Sequence, residues 1–155
     1  MNNNKKKWSL ENTYLNLPDC FYEKIKPRLV QNPKIIYYNK NLAKNLNLDF
    51  LNNDKSLITN YFSGNKLPAN SKPIAQAYAG HQFGHFTMLG DGRAILLGEE
   101  RDLNNKLYDI QLKGSGKTSF SRGGDGKATL SSMLREYIIS ESMYHLKIPT
   151  SRSLA

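Results

Sequence analysis

Arg93, Lys113, Arg122 and Lys127, with Asp91 and Asp125 among them, fall in a stretch that also holds ten of the chain's eleven glycines, from Gly80 to Gly126. Phosphate groups need this mixture. Glycines let backbone N–H groups approach closely, and positioned cations meet the charge on phosphate oxygens. Further on, Glu136 lies beside Met133 and Met143 on a helical run. A carboxylate on a partly buried stripe requires a cation, and Lys113 is the obvious candidate. The centre of the chain therefore reads as a nucleotide site.

Three local motifs bear on that reading. Gly114-Ser-Gly-Lys-Thr-Ser119 ends like a P-loop, but the full pattern needs glycine where the chain has Gln111, and Arg122-Gly-Gly-Asp-Gly follows where a helix should begin. Lys117 is then a surface residue or a secondary phosphate contact. His81 and His85 have the spacing of a zinc-protease helix, yet the required glutamate is Gln82, and Gly80 and Gly84 oppose a helix. A packed polar turn beneath the following strand is the expectation. Gly90-Asp-Gly-Arg93 taken alone is a hairpin tip. Taken in order, it begins a series: glycine turn, strand, turn, strand ending in Lys113, loop, helix bearing Glu136. The N-lobe of a protein kinase has the same order of parts. The usual kinase Gly-rich pattern is absent, so a bare hairpin tip and a phosphate cover both stay open.

The elements that must position these residues can be taken in sequence. Trp8, Leu10, Tyr14, Leu15 and Leu17 form an anchoring arm, and Pro18, Pro27 and Pro33 keep the following stretch extended or turning. Ile35-Ile-Tyr-Tyr38 reads as a short strand. Asn39 or Asn41 caps a helix to about Leu48, and Asp54 or Ser56 starts another that Gly64 closes. Ser71 and Pro73 supply an N-cap and first-turn proline for a helix over residues 74–79, stopped by Gly80. Strands follow at 86–89, 93–98 and 107–113, as three antiparallel neighbours with Lys113 on the polar face of the last. A loop over 114–126 leads to the strongest helix, about 128–147, with Leu130, Leu134, Tyr137, Ile138 and Glu141 on one stripe.

Composition sets bounds on function. A formal charge of +9 and a pI near 9.6 favour anionic partners, but the lysines are scattered, so neither a nucleic-acid surface nor membrane binding is expected. Cys20 is the single cysteine, which excludes an intramolecular disulfide and a cysteine metal cluster. No run approaches the roughly 20 apolar residues of a membrane span. A soluble, cytoplasmic chain is expected. Fifteen of seventeen asparagines lie in residues 1–70, so composition shifts near residue 71. The chain stops just after the long helix, which reads as a piece of something larger.

Several of these motifs resemble the selenoprotein O family (SelO, YdiU in bacteria). They are Tyr78-Ala-Gly-His-Gln-Phe-Gly84, Leu89-Gly-Asp-Gly-Arg-Ala94, Leu97-Gly-Glu99, Asp109-Ile-Gln-Leu-Lys-Gly-Ser-Gly116, Ser121-Arg122, Gly124-Asp-Gly126, Arg135-Glu136-Tyr137 and Ile148-Pro-Thr150. Upstream, Leu17-Pro18, Phe21-Tyr22, Asn32-Pro33 and Ser63-Gly-Asn65 are similar as well. The resemblance implies a kinase-like pseudokinase that binds ATP in a flipped orientation and, with Mg²⁺ or Mn²⁺, attaches AMP to Ser, Thr or Tyr hydroxyls of proteins. It implies that Gly90, Gly92 and Arg93 contact the nucleotide, that Lys113 binds phosphate and pairs with Glu136, and that Asp125 and Gly126 complete the pocket. The family's catalytic acid, metal ligands and further ATP-binding arginines lie beyond the matched motifs, so no catalytic base or metal ligand is expected within these 155 residues. Ser119 stands where the family usually has proline and Lys127 where it usually has arginine, keeping charge without the bidentate fork.

The expectation is thus an α+β chain in three parts. Residues 1–7 are a disordered terminus, 8–80 a helical extension, and 81–155 a kinase-like N-lobe with an antiparallel sheet and a long helix of the αC type. It would hold ATP for AMP transfer to protein substrates. The alternatives are an inactive nucleotide-binding or interaction module that complements a separate C-terminal half, or a conventional phosphotransferase.

Overall fold

A computed structural model describes residues 7–82 and 84–155. Residues 1–6 of the expected disordered terminus, and Phe83 of the Tyr78–Gly84 motif, lie outside the described residues. The chain is α+β. Its strands are β1 (Tyr22–Lys24), β2 (Ile74–Gln82), β3 (His85–Gly90), β4 (Ala94–Arg101) and β5 (Leu107–Lys113), and its helices are α1 (Lys40–Asn45), α2 (Lys55–Phe62) and α3 (Leu130–His145). All strand pairings are antiparallel, in the order β1-β2-β4-β5, with β3 also on β2.

The short helices start where local chemistry favours them. The Asn39 side chain accepts the Leu42 N–H at 3.0 Å at the head of α1, and Asp54 accepts the Leu57 N–H at 2.8 Å at the head of α2. Their apolar residues Leu42, Ala43, Leu46, Ile58 and Tyr61 meet Ile95, Leu97, Ile110 and Leu112 from one face of β4 and β5. The N-terminal arm completes this core. Trp8 is buried edge-on against Tyr61, with ring centroids 5.0 Å apart, and Leu10 lies beside it, whereas Leu17 is exposed. A buried carboxylate ties the arm down: Glu99 accepts from the N–H and hydroxyl of Thr13 and from the N–H of Tyr14. The core therefore draws on both sides of residue 80, and β2 runs through that position.

Several sequence expectations are corrected. Residues 74–79 form a strand, not a helix, and Gly80 lies within it. The cap signal at Ser71 is spent elsewhere, since its hydroxyl donates to the Leu97 carbonyl at 2.7 Å. Pairing of Ile74 with both β1 and β4 then outweighs local helix preference, as tertiary context commonly does. Residues 35–38 pair with no strand among the described residues; Ile35 and Tyr38 instead pack on the core, Ile36 is exposed, and the Tyr37 ring lies 4.7 Å from that of Tyr137. The strand before Gly90 pairs with β2, not with β4, and Gln82 opposite His85 is the register pair nearest the β2–β3 connection. His81 and His85 lie on the two arms of this hairpin with exposed side chains rather than packed beneath a strand.

Helix α3 is anchored differently from the others. Leu130, Leu134 and Ile138, expected on a packed stripe, are exposed, and none of its residues is fully buried. The partly buried side is Met133, Glu136, Tyr137, Ser140 and Glu141. Glu141 forms a bidentate pair with Arg152 at 2.8 and 2.6 Å and accepts from the Asn39 amide at 3.0 Å. The Arg152 guanidinium also lies 3.6 Å from the Tyr144 ring centroid. The Arg152 hydrogen bonds hold the Glu141 carboxyl below the usual carboxylate range. Polar contacts at this knot thus fix α3, and with it Glu136, against α1.

Candidate functional site

The ladder between β4 and β5 creates the site. Its last register pair is Ala94 opposite Lys113, and the Gly114 N–H donates to the Arg93 carbonyl at 2.7 Å just beyond. Arg93 and Lys113 consequently emerge side by side at one end of the sheet. Thr129 caps α3 with its hydroxyl, setting the first turn, and Glu136 follows two turns later on the partly buried side. Lys113 Nζ donates to both Glu136 oxygens, at 2.9 and 2.8 Å, and an Arg93 guanidinium nitrogen lies 3.9 Å from Oε1. One carboxylate serves two cations. Their side chains remain 45% (Arg93) and 43% (Lys113) exposed, so an arriving anion can reach them.

The glycine turn packs against the loop that follows β5. The Asp91 N–H donates to the Gln76 carbonyl at 2.9 Å, and its carboxylate accepts the Gln76 N–H at 3.1 Å, which keeps the turn on β2. Burial pushes the Asp91 carboxyl up, reinforced by Asp109 and opposed by the Gln76 N–H and Lys113. From the loop, Thr118 Oγ1 donates to the Asp91 carbonyl at 2.6 Å and Ser121 Oγ to the Gly92 carbonyl. A Cβ at Gly90 would run into the Phe120 ring, and one at Gly92 would stand 2.7 Å from the Phe120 carbonyl. Both glycines are thus already required by packing of the chain on itself.

The expected site residues therefore divide into two groups. Arg93, Lys113 and Glu136 meet directly, while Gly90 and Gly92 flank the same corner. Asp125 and Gly126 sit on the approach to α3, where Asp125 accepts the Lys127 N–H at 2.9 Å in a local turn and is exposed. Gly126 adopts a left-handed φ of +70° against Gly116, whose carbonyl occupies the space a Cβ would need. Neither reaches the Lys113–Glu136 pair through a hydrogen bond. Lys117 is exposed, and the Arg122 guanidinium donates to the Gln82 side chain at 3.3 Å. Sequence reasoning missed Gln76, Thr118 and Ser121 as supports of the turn. The hydroxyl-rich run 118–121 was the available signal, but it reads first as the tail of a P-loop.

Chemically, the corner offers the half-exposed cations Arg93 and Lys113 to an anion. Among the described residues no cluster of three or more His, Cys, Asp or Glu side chains converges on a metal position, and no helix is long and apolar enough to cross a membrane. A family model described as protein adenylyltransferase SelO matches residues 5–155. The chain is 60% identical over 148 residues to a protein nucleotidyltransferase YdiU from Pelagibacter ubique, covering 96% of this chain and 31% of that relative. It is 61% identical over 150 residues to the YdiU of Clostridium perfringens strain SM101, covering 96% of this chain and 30% of the relative. Against the Bacillus thuringiensis YdiU it is 54% identical over 153 residues, covering 99% and 31% respectively. The chain thus spans about three tenths of the length of the curated relatives it matches. With motifs and match running through nearly every residue, the chain belongs to the SelO/YdiU family of protein nucleotidyltransferases.

Proposed function

We propose that this chain is the ATP-holding part of a protein adenylyltransferase, folded as a kinase-type N-lobe with residues 8–80 as an extension packed upon it. The observation that carries the reading is the Lys113–Glu136 pair at 2.8–2.9 Å with Arg93 beside it. Glu136 orients the Lys113 ammonium, and Lys113 and Arg93 meet phosphate oxygens while Gly90 and Gly92 border the nucleotide. Asp125 and Gly126 shape the far wall of the pocket. In the reaction, a Ser, Thr or Tyr hydroxyl oxygen of a protein forms a bond to the α-phosphorus of ATP. The bond from that phosphorus to the bridging oxygen breaks, pyrophosphate leaves, and the hydroxyl proton passes to a base. Mg²⁺ or Mn²⁺, when bound, neutralises charge on the phosphates. We assign the metal ligands and the base to the length that the relatives have in addition.

A second reading follows from that coverage. The chain by itself holds nucleotide without turning it over and works as a binding module that joins a separate C-terminal half. Both readings are tested by ATP titration of the chain followed by NMR, and by mass analysis of proteins incubated with it and ATP. Weak binding that Lys113→Ala removes, with no AMP added by the chain alone, is the expected result. Unchanged binding by Lys113→Ala would refute the role of Lys113, and added phosphate in place of AMP would point to a conventional kinase.

A further inference from the structure

The turn from residue 118 to 121 performs a task that none of the motifs above assigns to it. Thr118 is 3% exposed, and its hydroxyl donates to the Asp91 carbonyl at 2.6 Å while accepting the Phe120 N–H at 3.2 Å. The Ser121 hydroxyl accepts the Thr118 N–H at 2.9 Å and donates to the Gly92 carbonyl. Two consecutive carbonyls of the glycine turn are therefore held by two hydroxyls from one loop. The loop is itself fixed to β1, because Glu23 accepts from the Ser119 N–H at 3.1 Å and from the Ser119 hydroxyl at 2.6 Å.

A trans peptide is planar, with its C=O and N–H pointing in opposite directions. Holding the Asp91 carbonyl towards Thr118 therefore sends the Gly92 N–H the other way, where the Gly90 carbonyl takes it at 2.8 Å. Holding the Gly92 carbonyl towards Ser121 likewise turns the Arg93 N–H to the side opposite the loop. Glycine at position 92 would otherwise let these planes rotate freely. We infer that Thr118 and Ser121 are positioning residues that set the peptide planes of the Gly90–Arg93 turn, so that the Arg93 amide and side chain face a phosphate group together. The inference rests on the nucleotide reading above and adds to it the residues that preorganise the turn.

The test uses the full 155-residue chain, ¹⁵N-labelled and titrated with ATP and Mg²⁺ to millimolar concentration. Wild-type Gly90, Gly92 and Arg93 amides are expected to shift on titration. Thr118→Val keeps the shape of the side chain and removes the hydroxyl that donates to the Asp91 carbonyl and accepts the Phe120 N–H, so it should weaken binding about tenfold, the scale of the lost hold on the Asp91 carbonyl. Thr118→Ser should restore it. A Thr118→Val protein that binds within about twofold of wild type would overturn the inference. If Thr118→Val fails to fold, Ser121→Ala carries the same comparison. If the wild type shows no shifts and matches Lys113→Ala, the nucleotide reading itself fails. If the wild type binds and both hydroxyl variants bind equally well, only the positioning role fails.

Discussion

Arg152→Ala should loosen α3 more than any substitution on the helix's own apolar stripe. The guanidinium makes two hydrogen bonds to Glu141, at 2.8 and 2.6 Å, and covers the Tyr144 ring. Exposed ion pairs contribute about 0.2–1 kcal/mol, whereas stripping one partner from a buried pair costs about 3–5 kcal/mol. Each side chain of this pair is only 15% exposed, and Glu141 keeps a single amide donor from Asn39 after the substitution. A cost of about 2 kcal/mol for the pair, plus about 1 kcal/mol for the lost ring contact, follows. For a chain of this length, that total lowers Tm by about 8 °C. Calorimetry reads the shift, and amide hydrogen exchange should show α3 opening before the core of α1, α2 and β4. Acid narrows the gap. The folded-state pKa of Glu141 lies below its ordinary value of 4.5, so the pair's contribution is complete above that value and is lost as pH falls through the lowered one. A Tm within about 2 °C of wild type at neutral pH, or a gap that does not narrow as acid protonates Glu141, would refute the reasoning.

Other substitutions probe the core and the turn. Trp8→Ala removes the largest side chain of the arm and its 2.8 Å hydrogen bond to Glu100, and should cost about 3–5 kcal/mol by chemical denaturation. Gly126→Ala forces a Cβ into the Gly116 carbonyl at a left-handed φ and should disorder the loop before α3, read as lost amide protection there. Asp91→Asn keeps an acceptor for the Gln76 N–H and removes a charge whose pKa burial has raised. That ionisation opposes folding above the ordinary carboxylate pKa, so the variant should be at least as stable as wild type at pH 7. Its advantage should fade as pH falls through the raised folded-state pKa and be gone below the ordinary value of 3.8. A loss of stability at pH 7 would show that the turn needs the charge.

The part of the site legible from sequence was the part fixed by residue type. A lysine closing a strand with polar alternation and a glutamate on a methionine-bearing helix each lack a counter-charge, and the fold brings them together at 2.8–2.9 Å. The parts that were misread share a different cause. Ser71, Pro73 and the alanines after Ile74 carry strong local helix signals, but a strand between β1, β3 and β4 is decided by partners that sequence proximity does not name. Asp91-Gly92 carries a strong hairpin signal, and Gln76, Thr118 and Ser121 overrule it from 15 to 29 residues away. Glu141 and Asn39 meet across 102 residues, which no helical wheel can anticipate.

This division has a functional consequence. The groups proposed to touch the nucleotide are long, half-exposed side chains at the end of a ladder, and they are inexpensive to move. The groups that aim them are buried or partly buried and hydrogen-bonded: Thr118 and Ser121 for the glycine turn, Asn39 with Glu141 and Arg152 for the helix that carries Glu136. A flexible cation becomes a selective one only when its partner is held, because the cost of ordering it has then been met before the ligand arrives. Variation at Lys113 should therefore affect affinity directly. Variation at Thr118 or Arg152 should affect it through geometry, with the strongest effects where the fold is already tightest.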